Sequence, residues 1–231
     1  MKGHVVGLAS ASLGSVLHDL VATHASADGR RWLERAAAAG AIVDRGAFME
    51  TFPVVARHLG TSALCLTADE TARLEALGVG WPCCATLDEL GRIALLGLAA
   101  SRLSSPEIEA LVEDCYQHGD TRERRAVLRA LPLLPEGERL LAIAVDACRS
   151  HVQPLFEAIA CENPYPAERF PELNFNQMVL KALFTGVALE RIIGLTARVT
   201  PELRRMANDY ARERAAAGRS VPADIGRYLT A

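Results

Sequence analysis

The chain has 231 residues, half of them hydrophobic, with 23% charged and a formal net charge of −3. That length allows a substantial core, in one large domain or two small ones. The charge balance argues against a basic nucleic-acid surface and an acidic disordered tail, and an Ala- and Leu-rich composition with 5% aromatics favours helix over sheet.

The opening stretch, MKGHVVGLASASLGSVLHDL, is mildly apolar. Ser and Gly dilute it below the dense apolar run of about 7–15 residues that a secretory signal needs. No segment approaches the roughly 20 apolar residues of a membrane span. The expectation is a soluble, cytoplasmic protein. Apolar residues then recur at helical spacing, as in Ile108, Leu111, Val112 and Cys115. The spacing predicts helices over about 4–25, 29–39, 44–58, 67–77, 86–101, 105–118, 120–131, 135–150, 152–160, 174–186, 188–197 and 200–217, with a short turn near 222–229. Helix starts are marked by Thr67 with Glu70, Thr86 with Glu89, and Asp120 with Glu123, each spaced as a capping box. Ser105-Pro106 and Thr200-Pro201 place a cap before a proline, and Pro135-Glu136 opens another segment.

Six cysteines lie at 65, 83, 84, 115, 148 and 161, with no C-x-x-C pair. They are expected as reduced thiols packed like small apolar residues, with no metal site and no cofactor. Between about 105 and 160 the helices are short and the loops tight, in the manner of helical hairpins. The fold expected is therefore all-α: an array of HEAT-like helical hairpins, with an irregular all-α bundle as the alternative. The chain reads as a single helical domain, 1–231, with a possible division into N-terminal helices 1–103 and a HEAT-like part 104–231.

The segment Cys161–Leu173, CENPYPAERFPEL, carries prolines at 164, 166 and 171 and reads as a stiff extended loop of a length that is often functional. Rare residues collect around it. All four asparagines (163, 174, 176 and 208) and four of six phenylalanines (156, 170, 175 and 184) fall here, and Lys181 is the one lysine besides Lys2. On the helix that follows, Asn174, Gln177, Lys181 and Thr185 share an arc of roughly 80°. Asn174 and Gln177 also fit a capping box. Lys181 has three readings: a snorkelling side chain, a buried ion pair with Glu162, Glu190 or Asp209, or a cation or depressed-pKa amine facing a ligand. Arg191, Arg198, Arg204 and Arg205 read either as a solvated, salt-bridged face or as a cationic rim for a phosphate or carboxylate.

The wording of ENPYPAERF, FNQMVLKALFTG and LRRMANDYARERAAAGRSVP resembles the signature region of the EboA family, over roughly 156–222. Towards the N-terminus the likeness is one of helical character only. The resemblance implies a bacterial all-helical protein encoded beside other Ebo components: a membrane prenyltransferase-like protein and TIM-barrel and metal-hydrolase-like enzymes. It also implies a pathway that makes a small metabolite or moves it towards the periplasm. It assigns no reaction to this component. Asn163, Pro164, Tyr165, Gln177, Lys181 and Arg205 fall on shared positions.

No G-x-S-x-G, glycine-rich phosphate loop or metal-ligand spacing occurs. The function expected is a non-catalytic accessory or binding protein of an ebo-type pathway, holding a small metabolite or another pathway protein near 161–181. The alternatives are an enzyme acting on a sugar-like or prenylated metabolite through Lys181, and a protein-binding helical scaffold. The candidate ligand-binding residues are Asn163, Tyr165, Asn174, Gln177, Lys181, Arg191 and Arg205. Catalytic residues are unassigned, and neither nucleic acid nor a membrane span is expected.

Overall fold

Residues 3–76, 85–135 and 137–229 are described by the structure, a computed structural model, with side chains from residue 13 onward except at 39, 75 and 76. Among them every regular element is helical, and the β pairing is one isolated bridge between Ala63 and Thr86. The fold is all-α. The chain forms two compact units, residues 1–147 and 148–231.

The first unit runs through α1 (Gly3–His24), α2 (Ala27–Ala36), α3 (Ala39–Val43), α4 (Arg45–Leu59), α5 (Ala68–Ala76), α6 (Leu87–Ala100), α7 (Ser105–His118) and α8 (Thr121–Ala130). α9 (Glu138–Arg149) follows, and its last residues already belong to the second unit. α6 is the centre. Every residue from Leu87 to Ala99 is buried, and α1, α4 and α8 pack around it. Leu90, Ile93 and Leu96 are fully enclosed, each contributing about 1.5–3 kcal/mol by leaving water. α1 crosses α6 backbone to backbone: a Cβ on Gly14 would sit 2.7 Å from the carbonyl carbon of Gly97. Only glycine fits that crossing.

The caps follow the sequence in part. Thr67 and Glu70 exchange bonds at the start of α5, and Asp120 with Glu123 closes a capping box on α8. Thr200 accepts from the Leu203 N–H at 3.2 Å. At α7 the cap is Ser104, paired with Glu107, and not Ser105, because Ser105 and Pro106 already lie in the first turn. Thr86 is no capping box: its hydroxyl donates to Asp88 at 2.7 Å, and Glu89 is drawn to arginines of α8. Pro135 opens no helix at once, since α9 starts at Glu138; Glu136 lies outside the described residues, as do Cys83 and Cys84. The described cysteines, Cys65, Cys115, Cys148 and Cys161, are free thiols.

The second unit holds α10 (Gln153–Ala160), α11 (Tyr165–Arg169), α12 (Glu172–Thr185) and α13 (Pro201–Ala216), ending in a π-helical turn, Ile225–Leu229. The expected extended loop at 161–173 is in fact the short helix α11 plus the start of α12. Pro166 sits in the first turn of α11 and Pro171 caps α12, positions where a missing N–H removes nothing. Because α12 starts at Glu172, Asn174 lies inside its first turn and forms no capping box with Gln177. The single helix expected over 188–197 is two 3-10 turns, Leu189–Arg191 and Leu195–Arg198, broken at Gly194 with φ 73°. There a Cβ would lie 2.7 Å from that of Ala167.

Candidate functional site

α10 is the element around which the predicted site residues of the second unit gather. Its apolar face buries Leu155, Phe156 and Ile159. Three candidates reach it from three directions. Lys181 lies 4.7 Å above the Phe156 ring, Arg191 holds Glu157 at 2.8 Å, and Asn163 donates to the Ala158 carbonyl at 3.0 Å. Sequence spacing alone could not reveal that convergence, since the contacts span different helices.

Lys181 ends on backbone. Its ammonium donates to the carbonyls of Cys148 at 2.6 Å and Ser150 at 2.5 Å, at the carboxyl end of α9. Those carbonyls lack intrahelical donors, and the helix dipole favours a cation there. Of the three readings, the structure shows a half-buried cation on backbone oxygen and an aromatic face; the ion pairs offered by Glu162, Glu190 and Asp209 are not the ones formed. Burial pulls the Lys181 pKa below its ordinary value, and the neighbouring Cys148 works in the opposite direction. The thiol of Cys148 is itself pushed up to about 12 by burial.

Arg198 repeats the arrangement. Its guanidinium donates to the carbonyls of Ala167 at 2.6 Å and Phe170 at 2.7 Å and lies 4.7 Å above the Phe175 ring. The two cations differ in one respect. Arg198 reaches its carbonyls with two separate nitrogens, whereas both acceptors of Lys181 converge on one. A planar fork suits the first geometry and a point-like ammonium the second, which accounts for a lysine in a chain whose other basic residues, Lys2 apart, are arginines. Phe156 and Phe175, both fully buried, are the aromatic floors.

Arg191 binds Glu162 through two nitrogens, at 2.7 and 3.0 Å, and its carbonyl accepts the Glu162 N–H at 2.8 Å. Glu162 stands at φ 52°, the one non-glycine residue with positive φ among those described. Its carboxylate bonds, ahead of those of Glu157, raise the Arg191 pKa and keep it charged. Asn163, 1% exposed, bridges the end of α10 to the Tyr165 N–H, and Tyr165 packs edge-on against Phe170. Asn174 is half-buried and Gln177 exposed on α12. Arg205 is not part of the gathering: it pairs along α13 with Glu202 and Asp209.

A second polar cluster, in the first unit, was missed by sequence reasoning. Asp88, Glu89 and Arg92 of α6 are buried with Glu123 and Arg129 of α8. Asp88 accepts from Arg92 at 2.7 Å and from Arg122 at 2.9 Å; Glu89 accepts from Arg129 at 2.8 Å. Arg92 also donates to the carbonyls of Phe52 and Pro53. Burial raises the Asp88 pKa, but bonds from Arg122, Thr86 and Arg92 outweigh it and leave the carboxyl below the usual range. The only available signal was charge placed inside an otherwise apolar helix, LDELGRIALL. Among the described residues no group of three or more His, Cys, Asp and Glu is placed to hold a metal ion, and no helix is long and apolar enough to cross a membrane.

These features define an all-helical protein in which, among the described residues, Lys181, Arg191 and Arg198 are bound to the chain's own carbonyls and carboxylates. The family described as metabolite traffic protein EboA matches residues 13–230, and the chain belongs to that family. Comparison with curated proteins and with solved structures returns no match.

Proposed function

We propose that the chain is a non-catalytic accessory protein of metabolite traffic, acting in the cytoplasm and meeting another component of the same pathway through the 161–184 region. The family match over 13–230 carries this reading. The geometry favours an accessory role over an enzyme. For Lys181 to act as a nucleophile its amine must be neutral, and an imine would give up both carbonyl bonds. What the region offers outward is one face of α12. Leu173 and Phe184 are 62% and 73% exposed and fall on the same stripe as Gln177, within about 40°. Large apolar side chains on a convex helix suit a protein surface, where an aromatic anchor enters a partner's pocket.

The test is made in the chain's own cell. Deleting the gene is expected to leave the pathway's metabolite on the wrong side of its transport step, and Phe184→Glu is expected to reproduce that defect at unchanged protein level. Normal metabolite distribution in the deletion strain would overturn the assignment to traffic, and full complementation by Phe184→Glu would overturn the α12 face.

A further inference from the structure

The first unit carries a cavity of about 360 Å³ where the end of α3 and the start of α4 face α7. That volume lies within the range of small-molecule sites, about 300–1,000 Å³. Its apolar wall is Leu103, Ala110 and the buried Leu111, with Val43 and Pro106 exposed at the mouth. Two charged side chains, Arg45 and Glu107, share the lining.

Both are exposed, and each has one polar atom that its hydrogen bonds leave unused. Arg45 sends Nε and one terminal nitrogen to a single oxygen of Asp114, which leaves its other terminal nitrogen available. Glu107 accepts from the Ser104 N–H at 2.9 Å and hydroxyl at 2.6 Å, both at Oε2, which leaves Oε1 available. The lining residues therefore carry one spare donor and one spare acceptor beside an apolar wall. A hydroxyl answers both, accepting from the guanidinium and donating to the carboxylate. One arginine against Glu107 and Asp114 leaves a net negative charge, which repels an anionic head. We propose that this cavity binds a small apolar molecule carrying a hydroxyl group, an alcohol or a phenol. The proposal deepens the traffic reading and rests on it for its biological meaning, though not for the binding itself.

Calorimetric titration of the full chain with 2-naphthol, and with 2-naphthoate as the anionic control, tests it. 2-Naphthol is expected to bind and 2-naphthoate to bind at least about tenfold more weakly, the size of one charge-assisted contact. Ala110→Phe fills the cavity and should abolish 2-naphthol binding with the helical circular dichroism retained. If that variant does not fold, Val43→Trp at the exposed mouth makes the same test. Glu107→Gln keeps a capping-box partner for Ser104 and should narrow the preference for 2-naphthol over 2-naphthoate. Unaltered binding by the cavity-filling variant, no binding by the wild type, or a preference for 2-naphthoate overturns the proposal. A cavity that binds 2-naphthol in a chain whose deletion leaves traffic intact would sink the functional reading alone; a traffic defect without 2-naphthol binding would sink the cavity alone.

Discussion

The two units differ in what most of their enclosed charge leans on, although Arg92 of the first also binds two carbonyls over the Phe52 ring and Arg191 of the second also binds two carboxylates. In the first, charge meets charge: Asp88, Glu89 and Glu123 face Arg92, Arg122, Arg125 and Arg129 across α6 and α8. In the second, Lys181 and Arg198 meet neutral oxygen, each held by two backbone carbonyls over a phenylalanine ring. A carboxylate can be titrated or left stranded by mutation; a carbonyl cannot be titrated, and at a half-exposed helix end water replaces a lost donor. The first arrangement is therefore strong and brittle, the second weaker and more forgiving.

The largest expected effect comes from stranding a buried acid. Arg92→Met keeps most of the apolar stem and leaves Asp88 short of one partner inside the core. It should cost about 3–5 kcal/mol in urea unfolding, as removal of one member of a buried pair does. A loss below about 1 kcal/mol would erase the contrast. Lys181→Met should cost less, about 1–2 kcal/mol, since it removes two charged hydrogen bonds at a half-buried site. Lys181→Arg should recover only part of that, because a planar fork cannot bring both bonds to one point; full recovery would show that charge alone matters.

Acid separates the units without mutation. The Asp88 carboxyl lies below its ordinary value in the folded chain. Its contribution is complete above the unfolded value of about 3.9 and is lost as pH falls through the lower folded one. Amides of α6 and α8 should therefore lose hydrogen-exchange protection before those of α12 around Lys181. Asp88→Asn should flatten the acid limb of the first unit. Simultaneous loss in both units would contradict the division. The smallest effect is chemical. Burial pushes the thiols of Cys115 and Cys148 up to about 12, so iodoacetamide should label exposed Cys65 before Cys115 and Cys148 at neutral pH, as read by peptide mass spectrometry.

Much of the helical order was legible because caps and periodicity are local signals. Thr67 with Glu70 and Asp120 with Glu123 behave as their spacing predicts. Thr86 with Glu89 fails because Arg129, forty residues away, holds the carboxylate, and no local rule anticipates that. The prolines of 161–173 were visible, but a proline that forbids a helix interior also suits a helix start, and three together read as a loop. Lys181 was legible as unusual and illegible in use, since its acceptors are carbonyls, which every residue carries. The charged residues of α6 were hidden in plain view: on a half-exposed helix they would have been its solvent face.

Glu162 and Arg191 are tied twice, once through side chains and once through the backbone, around a residue in left-handed conformation. Glycine at 162 would relax the backbone, yet it would leave the guanidinium of Arg191 with Glu157 alone. Alanine at 191 would free the side chain of Glu162 while its backbone stayed strained. Each single step leaves the other half of the knot behind, so the two changes together should cost less than the sum of their separate costs. Such a pair tends to be inherited as a unit, and a homologue that has lost one member is expected to have lost both.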